Sequence, residues 1–294
     1  MAWWQLSVQC DQQRLEQTEQ ALLELGALSL SISDAHDEPL YEPLPGEQPL
    51  WSESVVSALF DQDQTIETLY NRLVVELTPE QVTSIRKSEL ADQQWERVHL
   101  ERYHPMRFGQ RVWVCPSWID PPDPDACNII LDPGVAFGTG SHATTALCLE
   151  YLDQHPPAGL EVLDYGCGSG ILAVAAARLG ATRIDCIDID PQALQATEDN
   201  IQRNNLNRHR FSISLPRQEP VSAIDYLMAN ILSAPLIELE PTFAKLTRTG
   251  GTLLLSGILD DQVEALMQVY HRHFSLDAAT IRDQWCRVSG TRRA

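Results

Sequence analysis

Apolar and polar positions alternate at the start of the chain, with Ala2, Trp4, Leu6 and Val8 on one side and Trp3, Gln5 and Ser7 on the other, which predicts a half-buried strand. Asp11 reads as an N-cap and Gly26 as a stop, so a helix is expected between them. Leu28, Leu30 and Ile32 alternate again as a second strand, and the proline-rich DEPLYEPLPGEQP leads to a third from Trp51 to Phe60. A helix from Thr65 to Leu77 and a short strand after Pro79 complete a βαββαβ order, that of a small ferredoxin-like sandwich.

From Asp92 to His104 the residues Trp95, Val98, His99 and Arg102 recur at helical spacing, and residues 86–111 hold six bases against four acids; this reads as a linker helix. The turn-rich segments HPMRFG and CPSWIDPPDPDA follow. Beyond residue 128 short apolar runs alternate with longer helical patterns. NIILD precedes a helix from Ser141, EVLDYG one from Ser169, RIDCIDID one from Pro191, IDYLMAN one from Ser233 and GTLLLSG one from Asp260. Such alternation predicts parallel strands joined by crossover helices. The expected organisation is an acidic α+β domain over residues 1–90, a linker helix over 91–107, and a doubly wound, Rossmann-like α/β domain over 108–294.

Charge and composition narrow the function. The 294 residues carry 41 acids and 21 bases, a net charge of −20, which disfavours direct binding to a phosphate backbone and favours a basic partner. The excess is concentrated early: residues 1–80 hold fifteen acids and two bases. That surface reads either as a solubilising face or as a docking face for a basic protein. Seven cysteines without a C-x-x-C pair suit buried thiols in a reducing cytoplasm better than a disulfide framework or a zinc site, so no metal is expected. The first residues lack the features of a signal peptide, and no apolar run approaches the length of about 18 residues that spans a bilayer. The expectation is a soluble, monomeric, cytoplasmic protein with no membrane partner.

The candidate chemistry begins at Val162-Leu163-Asp164-Tyr165-Gly166-Cys167-Gly168-Ser169-Gly170, a strand running into a glycine turn that opens a helix. A dinucleotide site wants G-x-G-x-x-G, and the position of that third glycine is Ile171 here. Asp164 would also repel a pyrophosphate and suits a cationic ligand. This combination resembles the first motif of the class I S-adenosyl-L-methionine-dependent methyltransferases, whose cofactor carries a sulfonium and no phosphate. Asp188, 22 residues beyond Gly166 at the tip of the next strand, is the candidate ribose ligand. Asp190, before Pro191, reads more simply as a helix N-cap. Asn230 ends an apolar strand at the mouth of the sheet, where it faces a methyl donor or caps the next helix. Asn-Ile-Leu stands there in place of the Asn-Pro-Pro-Tyr-like signature of many amine and amide methyltransferases. LDPGVAFGTGSHATT reads as a lid ending at a helix start, with Phe137 expected to cover the cofactor and His142 and Thr145 to hydrogen-bond it.

With WWQLSV, DAHDEPLYEPLPGE, HPMRFG, CPSW, FGTGSH, MANIL, LSGIL and WCRVSG added, the whole chain resembles the bacterial ribosomal protein L11 methyltransferases. The resemblance implies that Thr145, Gly166, Asp188 and Asn230 contact S-adenosyl-L-methionine, with Phe137, His142, Asp164 and Gly168 completing the candidate cofactor site. It also implies that the N-terminal domain recognises the protein substrate, and that lysine side chains and the N-terminal amine of L11 are methylated. Such a transfer needs an oriented neutral amine and no strong base, which makes Asn230, through its carbonyl oxygen, the candidate catalytic residue. Ser141, Ala143 and Tyr165 stand where Thr, Pro and Phe are usual. The alternatives are a methyltransferase of the same fold acting on RNA or another substrate, and a non-catalytic cofactor-binding assembly factor.

Overall fold

The computed structural model describes residues 3–36, 51–63, 65–90, 103–132, 142–216 and 223–294. The chain divides into two compact units, Met1–Arg102 and Tyr103–Ala294.

In the first unit β1 (Trp3–Asp11), α1 (Leu15–Glu24), β2 (Ser29–Asp34), β3 (Glu53–Asp61), α2 (Ile66–Glu76), α3 (Pro79–Ser84) and β4 (Arg86–Leu90) form an antiparallel sheet of order β2-β3-β1-β4 with helices packed on one face. Alternation decides which face is covered: Leu6, Val8 and Cys10 pack with Val56, Ala58 and Phe60 against Leu15, Ala21 and Leu22 of α1 and Leu69 and Leu73 of α2. Two expected boundaries shift. Asp11 is the last residue of β1, and its carboxylate accepts from Arg14 N–H at 3.0 Å, so α1 begins at Leu15. Pro79 opens a helix before the strand, because Thr78 and Gln81 make a reciprocal capping box around it.

Residues 91–102 of the expected linker helix lie outside the described residues, and its last two, Met106 and Arg107, are not helical. They belong to β5 (Met106–Phe108), which pairs antiparallel with β6 (Val112–Cys115). The reason is Gly109, whose φ of +65° turns the chain while Gln110 N–H donates to Asp153 Oδ2 at 2.7 Å. The run NIILD also departs from expectation. Its strand, β7 (Cys127–Ile130), joins β6 in a separate three-stranded sheet rather than the main one.

The second unit continues with α4 (Ala143–Gln154), β8 (Glu161–Tyr165), α5 (Ile171–Arg178), β9 (Arg183–Ile187), α6 (Pro191–Arg203), β10 (Phe211–Ser214), β11 (Ile224–Asn230), α7 (Ser233–Leu246), β12 (Thr247–Leu259), α8 (Val263–Tyr270), β13 (Phe274–Leu276), β14 (Thr280–Arg282) and β15 (Trp285–Arg292). The main sheet runs β10-β9-β8-β11-β12-β15-β13, with β14 beside β15. β10 through β12 are parallel, as the alternating pattern predicts, while β15 pairs antiparallel with β12 and β13. The sheet is therefore mixed, the Rossmann-like class I arrangement with a reversed strand near one edge. Its strands are near-continuous apolar runs because both faces are covered: Val162 joins a core with α4 and α5, and Leu163 one with α7 and α8.

All seven cysteines are free thiols, and burial pushes that of Cys148 up to about 12, which leaves it unreactive near neutral pH. Among the described residues no helix is long and apolar enough to cross a membrane.

Candidate active site

The strand order reverses between β8 and β11, since β9 and β10 lie on one side of β8 and β12 lies beyond β11. Ligands of open α/β sheets bind at such a switch point, outside the carboxyl ends of the strands. Three segments end there: the turn Gly166–Gly170 after β8, Asp188 after β9, and Asn230-Ile231-Leu232 from the end of β11.

Gly166, Gly168 and Gly170 have φ of +76°, +55° and +75°, a conformation that residues with a Cβ rarely adopt. Gly166 N–H and Cys167 N–H both donate to Ile187 O, at 2.7 and 3.1 Å, tying the turn to β9. Helix α6 holds it from beneath: Thr197 Oγ1 donates to Gly168 O at 3.0 Å, and Asn200 Nδ2 to Ser169 O at 2.8 Å. Gly170 is the N-cap of α5, so the helix opens at Ile171. Thr197 and Asn200 are buried, and the sequence reading passed over them. Their signal was two polar residues three apart on the inward face of α6, the face that also carries Ala193 and Ile201.

The acidic residues separate into different roles. Asp188 is half-buried, with Oδ2 accepting from Gly168 N–H at 2.9 Å and Oδ1 from Asp190 N–H at 3.0 Å. It thus links the tip of β9 to the glycine turn. Asp190 caps α6, accepting from Gln192 N–H at 2.8 Å with Pro191 in the first turn. Asp164 does not stand at the sheet mouth. It is 1% exposed, and its Oδ2 accepts from Ala173 N–H, in the first turn of α5, at 3.0 Å. Burial pushes its carboxyl up to about 7; the Ala173 hydrogen bond opposes that rise, and the charge of Asp188 adds to it.

Asn230 and Thr145 meet across the mouth, with Asn230 Nδ2 3.5 Å from Thr145 Oγ1. The carboxamide oxygen of Asn230 is buried and accepts no hydrogen bond from the described residues. An acceptor left without a donor costs free energy, so its retention at a sheet mouth points to a ligand donor. His142 is the N-cap of α4: its Nδ1 accepts from Thr144 N–H at 3.4 Å and lies 2.7 Å from Thr144 Oγ1. Its ring packs edge-on against Trp285 with centroids 4.8 Å apart, and burial lowers its pKa, which favours neutral imidazole. Phe137 lies outside the described residues. Ile189, 81% exposed, and Leu215, 48% exposed, follow β9 and β10 and add an apolar margin beside Asp188 that the sequence reading did not single out.

The donor set has a definite chemical character. Two carboxylates, Asp164 and Asp188, flank the glycine turn, and the amide at Gly168, which would cradle a phosphate in a dinucleotide site, already donates to Asp188. Such a site suits a ligand with hydroxyls and positive charge rather than a pyrophosphate.

Comparisons with known proteins agree with that character. A family model described as ribosomal protein L11 methyltransferase (PrmA) matches residues 2–293. The ribosomal protein L11 methyltransferase of Pseudomonas paraeruginosa is 49% identical over 294 residues, covering 100% of both chains. That of Marinobacter nauticus is 46% identical over 296 residues, covering 100% of this chain and 99% of the other. Among solved structures, the ribosomal protein L11 methylase from Lactobacillus delbrueckii subsp. bulgaricus superposes with a TM-score of 0.59 at 30% identity, over 65% of this chain and 100% of that one.

Proposed function

The chain belongs to the ribosomal protein L11 methyltransferase (PrmA) family, and on that premise we propose that it transfers methyl groups from S-adenosyl-L-methionine to amines of ribosomal protein L11, on lysine side chains and at the N-terminal amino group. The observation that carries the reading is the buried, unpartnered carboxamide oxygen of Asn230, beside Thr145 at the switch point of the sheet. The reaction fits a cytoplasmic setting, where ribosomal proteins are made.

The residues present fit the cofactor. Asp188, half-buried at the tip of β9, is placed to accept ribose hydroxyls. The positive φ of Gly166 and Gly168 sets the course of the turn that would run past the cofactor, and His142 and Thr145 approach from the start of α4. Asp164, two residues before the turn, adds negative charge toward a sulfonium only where its carboxyl, pushed up to about 7 by burial, has ionised. When bound, S-adenosyl-L-methionine provides an electrophilic methyl carbon for an in-line displacement.

The chain's own task is to present a neutral amine with its lone pair aligned, about 3 Å from that carbon. A lysine near its ordinary pKa costs about 4–5 kcal/mol to deprotonate at pH 7, an α-amine about 1 kcal/mol. A dry site beside a positive charge lowers both costs. Asn230 Oδ1 is the hydrogen-bond acceptor that orients the amine through one of its N–H groups; as a carboxamide it takes no proton. The first two transfers present an amine that still has an N–H, whereas the neutral tertiary amine left after two methylations has none.

Intact mass spectrometry of unmethylated L11 after incubation with the enzyme and S-adenosyl-L-methionine tests the reading. Successive additions of one CH₂ are expected. Asn230→Ala is expected to slow the first two additions by about 10²-fold or more, the scale set by misorientation, and to spare the third. No mass increment on L11 would overturn the substrate, and unchanged turnover by the variant would remove Asn230 from the mechanism.

A further inference from the structure

The segment Leu255–Leu259, LSGIL, has no part in the scheme above, yet its glycine lies against the turn that carries Asn230. Gly257 is the extra residue of a β-bulge: Ser256 pairs with Arg287 and Ile258 with Cys286, so two steps along β12 span one along β15. Ser256 Oγ bridges the irregularity by donating to Cys286 O at 2.8 Å. Gly257 has a φ of +85°, in the left-handed region.

A Cβ on Gly257 would overlap the carbonyl oxygen of Ile231 and stand 2.7 Å from Ile231 C and 3.0 Å from Ile231 N. The main chain of Ile231 therefore rests directly on the glycine. From the other side, a Cβ on Gly166 would overlap Ile231 Cγ2, so the Ile231 side chain fills the notch that the first glycine of the turn leaves open. Ile231 is thus held between two glycines, one in the turn after β8 and one in β12, both with positive φ. The residue before it is Asn230, whose neighbour Ala229 pairs with Leu255.

We propose that Gly257 and Ile231 are positioning residues for methyl transfer: the bulge and the notch pin the Ile231 peptide and so aim the Asn230 carboxamide at the acceptor amine. The proposal rests on the reading of Asn230 given above. As positioning residues they act through Asn230. Their effect belongs in the rate of transfer and not in the capture of cofactor or substrate.

Steady-state methylation of L11, with cofactor affinity from calorimetry and folding from thermal melts, separates these quantities. Gly257→Ala is expected to lower kcat on the order of 10²-fold, the cost of displacing a reacting group's partner by about 1 Å. The cofactor Kd and the KM for L11 should stay within about threefold of the parent. Ile231→Ala, which adds no atom to the contact, should lower kcat by about tenfold. Because all three residues act through one group, Gly257→Ala/Asn230→Ala should lose no more than Asn230→Ala alone. Parental kcat in both Gly257→Ala and Ile231→Ala, or losses that multiply in the double variant, would overturn the proposal. If Gly257→Ala fails to fold, the kcat of Ile231→Ala decides, with parental turnover as the overturning result. Parental turnover of Asn230→Ala would instead remove the reading on which the proposal stands.

Discussion

Replacing Asp164 by Asn isolates what the buried carboxylate costs the fold and what it contributes to binding. The side chain is 1% exposed, and burial raises its pKa to about 7 despite the Ala173 hydrogen bond, with Asp188 adding to the rise. From an ordinary carboxylate near 3.9, a rise of about three units corresponds to about 4 kcal/mol. The sign follows from proton counts. Between about pH 4 and 7 the native protein holds a proton that the unfolded chain has released, so stability is full below that window and falls as pH rises through it. Above pH 7 the whole penalty is present. Asn keeps the oxygen that accepts from Ala173 N–H and never ionises, so the variant should be more stable than the parent at pH 8, by an amount bounded at about 4 kcal/mol, and by no more than about 1 kcal/mol at pH 4.5. Urea unfolding of the cofactor-free protein at pH 4.5, 6 and 8 measures the difference. S-adenosyl-L-methionine affinity at pH 8 should move the other way, weakening by about tenfold or more as the sulfonium loses a countercharge. A variant with the same stability offset at every pH would refute the burial argument, and undiminished affinity would refute the countercharge.

Two further outcomes follow from the same geometry. Asp188→Ala removes the acceptor for Gly168 N–H and the candidate ribose ligand together, so calorimetry should show the cofactor Kd raised by about tenfold or more; an unchanged Kd would take Asp188 out of the cofactor site. The first unit holds 19 acids and six bases, so if it captures a basic substrate by long-range attraction, the KM for L11 should rise between low and high salt while the cofactor Kd stays nearly flat. A salt-independent KM would leave that charge a solubilising role only.

Much of the architecture was legible because local signals and packing agree. Both faces of the main sheet are covered, so its strands read as uninterrupted apolar runs, and the helices between them forced parallel pairing from β10 to β12. Where the readings failed, a neighbour outside the local window decided. The residues Met106 and Arg107 fit a helical pattern until Gly109 turns the chain against Asp153, 44 positions later. NIILD has the composition of a central strand, yet its partner is β6, which lies just before it in the chain, and nothing in its own residues distinguishes that sheet from the larger one. Periodicity reports how deeply a strand is buried and is silent on which sheet receives it.

The same division runs through the site. The placement of Gly166, Asp188 and Asn230 at the mouth of the sheet was legible because each sits at the end of its own strand, where the chain must change direction and one residue type is favoured for a local reason. Thr197, Asn200 and Gly257 were not, since each acts through a residue of another element: Gly168, Ser169 and Ile231. Gly166 shows how incomplete a motif's usual explanation can be. The lack of a side chain in such a turn is usually explained as room for a ligand against the backbone, and the structure adds a second requirement, room for Ile231 Cγ2. Under the proposed function Gly166 answers to both the cofactor and the neighbouring strand, and is constrained from two directions. The residue after Asn230 then belongs to the same unit as the glycine turn, because its side chain must fit the notch and its main chain must fit the bulge at Gly257. On this reading, exchanging Asn230-Ile231-Leu232 for the proline-containing turn of other methyltransferases would fail at the Gly257 contact, unless β12 changed with it.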